Sequence, residues 1–273
     1  MTELEERQFD PVVVRRRILE MAHSGSTVHI ACAFSLVEIL CVLYEDFVNY
    51  PHNDPDSPER DFLVLSKGHG VMAQYACMYE KGWVTQSQID SYFSDGTDLK
   101  GLSDSRVPGL EVTSGSLGHG LSVGVGLALG AQRRGSEKRT IVIIGDGEAN
   151  EGPIWEGALL AAQHKLKNFL VIVDYNRMQA MGTTDDIMSM DPFEDKFTSF
   201  GFEARTVNGH DVAQLREHIR ALLESDDPRP KALVANTVKG RGVSFMENNN
   251  SWHYTRLTDE TYAAALAELA ETS

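Results

Sequence analysis

Cysteine is scarce in this chain: three residues, Cys32, Cys41 and Cys77, with no C-x-x-C spacing among them. That excludes a disulfide framework and a zinc site, and leaves the thiols as small buried hydrophobes. Long apolar runs are missing too, since nothing approaches the roughly 18 residues of a membrane span, and the first ten residues, MTELEERQFD, carry no apolar leader segment. The expectation is a soluble, cytoplasmic protein. Basic residues are also in deficit: Lys and Arg number 25 against 40 Asp and Glu, for a net charge of −15. A nucleic-acid backbone or an anionic membrane surface is held mainly by Lys and Arg, so neither is an expected partner. Any anion must be captured locally.

What is present suffices for a large core, because 42% of the 273 residues are hydrophobic and no repeat or low-complexity tract interrupts them. A single domain over 1–273 is expected, with a flexible N-terminus over about residues 1–10. Leu36, Ile39, Leu40, Leu43, Tyr44 and Phe47 recur at helical spacing behind Ser35, which predicts an amphipathic helix with Ser35 as its N-cap. The apolar run 62–65 leads into Ser-Lys-Gly-His-Gly, and 140–144 leads into Gly-Asp-Gly, then a helical stretch, then the run 169–173. Shorter strands are predicted at 205–208 and 232–235, separated by a helix over about 212–223 that Asp211 could cap. Continuous β-branched runs alternating with helices predict an α/β fold with an open, mainly parallel sheet flanked by helices. Ligands in such sheets sit beyond the carboxyl ends of the strands, where these glycine turns fall.

Asp146 follows one predicted strand and Asn176 the next, 30 residues on, which is about one βαβ unit. If the strands are neighbours, a carboxylate and an amide oxygen converge on one point. Hard oxygen donors of this kind suit Mg²⁺ or Ca²⁺, and because magnesium takes few protein carboxylates and completes its shell with phosphate oxygens and water, a diphosphate is the natural bridging partner. Gly147 would let the backbone approach such a ligand, and the following helix would offer it N–H groups. Gly-Asp-Gly by itself reads better as a tight turn after a strand, with Asn176 an ordinary strand-end residue. Strand context, spacing and the acidic Glu151 just downstream favour the ligand reading.

The segment GDGEANEGPIWEGALLAAQHKLKNFLVIVDYN resembles the cofactor-anchoring motif of thiamine diphosphate enzymes, which opens with GDG and closes with a doublet ending in Asn. Tyr175 stands where many members have Asn or Asp. The resemblance implies that Asp146 and Asn176 hold the divalent ion by side chain and Met178 by its backbone carbonyl. SKGHG at 66–70, EVTSGSLGHGLS at 111–122, VNGHD at 207–211 and KGRGVSFMENNNSWH at 239–253 narrow the likeness to the transketolases, in the proper order, from about residue 12 to the end. More particularly the chain resembles the N-terminal subunit of a split transketolase.

That resemblance implies roles for several residues. His69 would contact the diphosphate, and His253 both diphosphate and substrate, although outside its motif His69 reads better as a solvated loop histidine and His253 equally as a surface residue beside Trp252. His29 matches the first substrate histidine, with Val28 in place of the usual preceding Gly. Gly115, Ser116 and Leu117 match the loop that supports the aminopyrimidine; outside that motif they are a glycine turn before a helix. Glu151 resembles the interface carboxylate that hydrogen-bonds with the catalytic glutamate, and alternatively complements a helix dipole. Leu102, in LKGLSDSRVPGLE, stands where transketolases usually carry a histidine against the donor hydroxymethyl group, so the transferred unit could be acetyl rather than glycolaldehyde.

In the family the glutamate on the aminopyrimidine belongs to a following pyrimidine domain. The resemblance therefore implies a C-terminal transketolase subunit carrying that domain, in an α2β2 assembly acting on a small sugar or 2-oxo acid, and a chain inactive alone. Two other readings share features with this sequence: the α-subunit of a 2-oxo acid dehydrogenase, opposed by SKGHG and the terminal Trp-His, and a non-catalytic thiamine diphosphate-binding pseudo-subunit, suggested by Val28 and Leu102.

Overall fold

The computed structural model describes residues 9–25 and 28–271. Most of the segment expected to be flexible, residues 1–8, lies outside the described residues. Helices α1 (Pro11–Ser24), α2 (Ala31–Phe34) and α3 (Val37–Val42) precede strand β1 (Phe62–Leu65), and α4 (Val71–Glu80), α5 (Gln86–Asp90) and α6 (His119–Arg133) follow it. The chain then runs through β2 (Thr140–Gly145), α7 (Gly152–Gln163), β3 (Phe169–Tyr175), α8 (Thr184–Ile187), α9 (Phe193–Ser199), β4 (Glu203–Asn208), α10 (Val212–Leu223), β5 (Lys231–Asn236) and α11 (Asp259–Glu271). Among the described residues the strands form one five-stranded sheet in the order β1-β2-β3-β5-β4, every pair parallel. The expected open α/β architecture is observed.

The apolar runs are continuous because both faces of the sheet are covered. Leu63, Leu65, Ile141, Ile143, Leu170, Ile172 and Leu233 point to the layer of α1, α3, α4 and α10, while Val64, Val142, Ile144, Val171, Val173 and Val234 point to that of α6, α7 and α9. Strand β4 is the exception. It lies at the sheet edge with only Val207 buried, which is why its apolar pattern is faint and its predicted start falls two residues late. Asp211 caps α10 as expected, its carboxylate accepting from the Gln214 N–H. All three cysteines are buried and unpaired.

Ser35 departs from expectation. It sits in right-handed helical backbone between α2 and α3, not at a helix start, and its hydroxyl donates to the Asp174 carboxylate at 2.6 Å. The apolar periodicity is real, since Leu36, Ile39, Leu40, Leu43, Tyr44 and Phe47 are all buried. The helical path, however, begins upstream at Ala31 and widens into a π-turn over Leu43–Phe47. A buried carboxylate claims the hydroxyl that a solvent-exposed helix start would have used.

Candidate active site

Register decides what meets what at the carboxyl ends of the strands. Gly145 pairs with Asp174 across β2 and β3, so Asp146 and Asn176 emerge side by side, as the spacing predicted. Both are buried. The Asp146 carboxylate accepts from the Gly147 N–H at 2.7 Å and from the Arg177 N–H, and the Asn176 side-chain oxygen accepts from the Met178 N–H at 3.1 Å. Asp146, Asn176 and the 176–178 turn are thus one unit. Burial, then the neighbouring Asp174 carboxylate, pushes the Asp146 carboxyl up to about 6, an arrangement that a cation would relieve.

The Asp146 carboxylate and the Asn176 amide oxygen are donors of the kind a hard divalent ion takes. Among the described residues no three His, Cys, Asp or Glu side chains gather into a metal-holding group, so an ion here needs ligand oxygens from elsewhere to complete its shell. Gly147 has ordinary helical backbone, with its N–H turned onto Asp146, and a Cβ there would lie 2.9 Å from Gln179 Cγ. The helix expected directly behind it starts later, at Gly152, after a short turn over Glu148–Asn150.

Three histidines from distant segments converge beside this turn. The His29 ring lies 5.2 Å from both His69 and His253, and His69 lies 5.8 Å from His253, centroid to centroid. Val28, where a glycine was expected, is accommodated because its backbone is extended and paired: its N–H donates to Thr255 O at 2.9 Å and the Thr255 N–H donates back at 3.1 Å. That bridge pins His29 against the His253 segment. Burial, followed by the charges of Lys239 and Lys67, pulls His29 down to about 4; burial, then Lys239 and the neighbouring His29, pulls His253 to about 3; and burial with Lys67 holds His69 well below its usual value. All three are neutral near pH 7, able to donate or accept a hydrogen bond.

Lys239 and Lys67 were not singled out in the sequence, although each lies inside a quoted motif. Lys239 is 1% exposed, and its ammonium donates only to neutral partners: His253 Nδ1 at 2.9 Å, Asn250 Oδ1 at 3.1 Å and Gln179 O at 3.3 Å. No carboxylate among the described residues forms an ion pair with it, and burial lowers it to about 8. Asp146 and Asp174 act on this ammonium only from beyond contact distance, and a buried cation with no carboxylate in contact among the described residues, lined by neutral imidazoles, calls for an anion. Lys67, in contrast, is paired with Asp174 at 2.5 Å.

The loop at 115–117 is tethered from both sides. Ser114 Oγ donates to Leu65 O at 2.8 Å at the end of β1, and the Gly118 N–H donates to the Glu148 carboxylate at 2.8 Å. Glu148, also missed in the sequence, further accepts from the Gly145 N–H at 3.1 Å and from the Ser66 hydroxyl, which ties this loop to the Gly-Asp-Gly turn. Gly118 starts α6 at φ +86°, where a Cβ would lie 2.7 Å from Glu151 Cβ. Glu151 itself is exposed at the head of α7 and makes no side-chain capping bond, while its position at the helix N-terminus still suits its charge to the helix dipole. Tyr175 packs into the layer of α6, α7 and α9, against Phe193 at 5.1 Å.

Next to His29 lies a pocket of about 290 Å³, lined by Val28, Phe93, Lys100, Gly101, Leu102 and Tyr254. The Lys100 ammonium donates to Thr97 O at 2.5 Å, so the wall around Leu102 is mostly apolar.

The family model "Transketolase, thiamine diphosphate binding domain" matches residues 12–270. The chain belongs to the transketolase family. It is 37% identical over 257 residues to one subunit of the apulose-4-phosphate transketolase of Phocaeicola vulgatus, covering 94% of this chain and 91% of that one. It is likewise 37% identical over 263 residues to "6-deoxy-6-sulfo-D-fructose transketolase subunit SqwG" of Clostridium sp. (strain MSTE9), covering 96% and 95%. Solved transketolases superpose closely: that of Leishmania mexicana with a TM-score of 0.88 at 28% identity, and that of Campylobacter jejuni with 0.89 at 25%. The chain spans 40% and 42% of those two proteins, and 95% and 96% of itself is matched. In length and likeness, then, this transketolase-family chain matches N-terminal subunits of split transketolases.

Proposed function

We propose that the chain binds thiamine diphosphate with Mg²⁺ and, together with a C-terminal subunit carrying the pyrimidine-binding domain, transfers a two-carbon unit from a ketose or 2-oxo acid donor to an aldehyde or ketone acceptor. The buried Lys239 ammonium, with no carboxylate in contact among the described residues and close enough to Asp146 to feel its charge, carries this reading. Asp146, Asn176 and the Met178 carbonyl would hold the ion. Lys239, His69 and His253 would hold the diphosphate, and residues 115–117 would support the aminopyrimidine. When bound, the cofactor supplies a carbon nucleophile that takes up and releases the two-carbon unit. His29 and His253, neutral at working pH, can hydrogen-bond substrate hydroxyls and move a proton at an imidazole nitrogen.

Support for a separate partner comes from the relatives named as subunits and from exposed apolar side chains on α6 and on α7, the helix that Glu151 heads: Leu159 and Leu160 on α7 and Val123 on α6 are 57%, 46% and 43% exposed. Glu151 would meet the partner there, in an α2β2 arrangement. Assayed alone with cofactor, magnesium and a donor panel, the purified chain should give no turnover, and adding the partner subunit should start it. Measurable turnover by the isolated chain overturns the two-chain reading.

The pocket wall bears on the donor. Leu102 is 42% exposed beside His29 and offers no hydrogen bond to a donor hydroxyl, which favours a unit ending in a methyl group. Pyruvate and hydroxypyruvate differ by that one hydroxyl. In the assembled enzyme Leu102→His is expected to shift the ratio of their kcat/KM values toward hydroxypyruvate by about tenfold or more. An unchanged ratio removes Leu102 from donor selection.

A further inference from the structure

Asp174 is a carboxylate inside an otherwise apolar strand, and it is 0% exposed. Four donors converge on it. Lys67 Nζ at 2.5 Å, Ser35 Oγ at 2.6 Å and Asn176 Nδ2 at 3.2 Å reach Oδ2, and the Thr237 hydroxyl reaches Oδ1. The first comes from the turn after β1, the second from between α2 and α3, and the last from the turn after β5, so the carboxylate is held from three elements besides its own.

A carboxylate only accepts hydrogen bonds, so it selects which end of a neighbouring amide faces it. An asparagine amide turned by 180° keeps its shape while exchanging oxygen for nitrogen. With Asp174 ionised behind it, the Asn176 NH₂ is turned inward and its oxygen outward, toward the Met178 N–H and the turn bonded to Asp146. A reversed amide would place N–H groups toward a bound cation and an oxygen against a buried carboxylate. Both contacts are repulsive. Lys67 keeps this arrangement stable, since its ammonium neutralises a carboxylate buried without access to water.

We infer that Asp174 is a positioning residue for the metal site: its buried carboxylate locks the Asn176 amide with the oxygen on the side where a divalent ion would bind. The inference rests on the reading of Asp146 and Asn176 as ion ligands. Partners that orient a ligand typically change metal affinity by about 10- to 100-fold when removed.

The test uses thiamine diphosphate and the chain assembled with its partner subunit, with Mn²⁺ as probe, free ion counted by electron paramagnetic resonance and melting temperature followed in parallel. Asp174→Asn should weaken Mn²⁺ binding by about 10- to 100-fold, because an amide at 174 no longer dictates which way Asn176 turns. The exchanged pair, Asp174→Asn with Asn176→Asp, should restore binding to near wild type. It keeps net charge, lets the new amide at 174 donate to 176, and gives 176 an oxygen at either end. A purely structural role predicts no such rescue. Wild-type affinity in Asp174→Asn overturns the inference. So does an exchanged pair that binds no better than the single variant, or one that fails to fold, which would assign the pair to structure. Wild type that binds no Mn²⁺ refutes the ligand reading instead, and this inference with it.

Discussion

Replacing Asp146 by alanine is expected to reduce turnover of the assembled enzyme by about 10³-fold or more, since a polarising cation is worth several kcal/mol of stabilisation at the reacting centre. Of the three oxygen donors proposed for the ion, only Asp146 is charged, and the amide of Asn176 and the carbonyl of Met178 cannot hold a divalent cation against water by themselves. Stability should move differently. Burial and Asp174 raise the folded-state carboxyl to about 6 from an unfolded value near 3.8, so the folded chain binds more protons than the unfolded one between those values. Stability contributed by this group is therefore lost as pH rises through that window, and at pH 7 the ionised side chain is a burden on the cation-free fold. The cation-free melting temperature of Asp146→Ala should equal or exceed that of wild type. Magnesium with thiamine diphosphate should raise the melting temperature of wild type, through preferential binding to the folded state, and leave the variant unmoved. A variant that keeps the magnesium-dependent rise would remove Asp146 from the metal site.

Opposed effects of this kind explain which parts of the site were legible in the sequence. Each strand announced itself where both its faces are buried: the run 62–65 coincides with β1 residue for residue, and 140–144 falls one residue short of β2. The run at 169–173 stops two residues early, because Asp174 and Tyr175 break the apolar pattern while still pairing with Ala235 and Asn236. That break was itself a signal. A charge where a doubly covered strand ought to be apolar marks a group that must be paired, and here it is the one that orients Asn176. Local devices such as the Asp211 cap were equally readable, since residue and partner lie three positions apart.

What could not be read depends on long-range closure. Ser35 meets Asp174 across 139 positions and Lys67 meets it across 107, contacts set by how helices dock on the sheet and by no spacing in the chain. The same holds for Glu148, whose carboxylate joins the Gly-Asp-Gly turn to the loop at 115–117. His29, His69 and His253 could be named one by one. Their convergence at 5–6 Å, and the burial beside Lys239 and Lys67 that keeps them neutral, needed the fold.

Lys239→Met is expected to weaken thiamine diphosphate binding by roughly 100-fold, the loss typical of removing one member of a buried charge pair. The side chain fills similar volume, so the change deletes charge with little change in packing. Protonation gives the sharper test. In the cofactor-free chain burial lowers this ammonium to about 8, whereas a bound diphosphate would favour its charged form. Below pH 8 the lysine is already protonated and affinity should be insensitive to it. Above pH 8 binding must take up a proton, and affinity should fall by up to about tenfold per pH unit until the bound-state value is reached. Neighbouring groups do not titrate in that window. His29 and His253 lose their protons near 4 and 3, His69 titrates well below its usual value, and Asp174 holds Lys67 charged above its ordinary range. Cofactor titrations of the assembled enzyme from pH 7 to pH 9.5 should therefore show an alkaline fall in wild type and a flat profile in Lys239→Met. Lys239→Arg, charged throughout, should bind without the fall. Parallel profiles in all three proteins would mean that this ammonium does not meet the diphosphate.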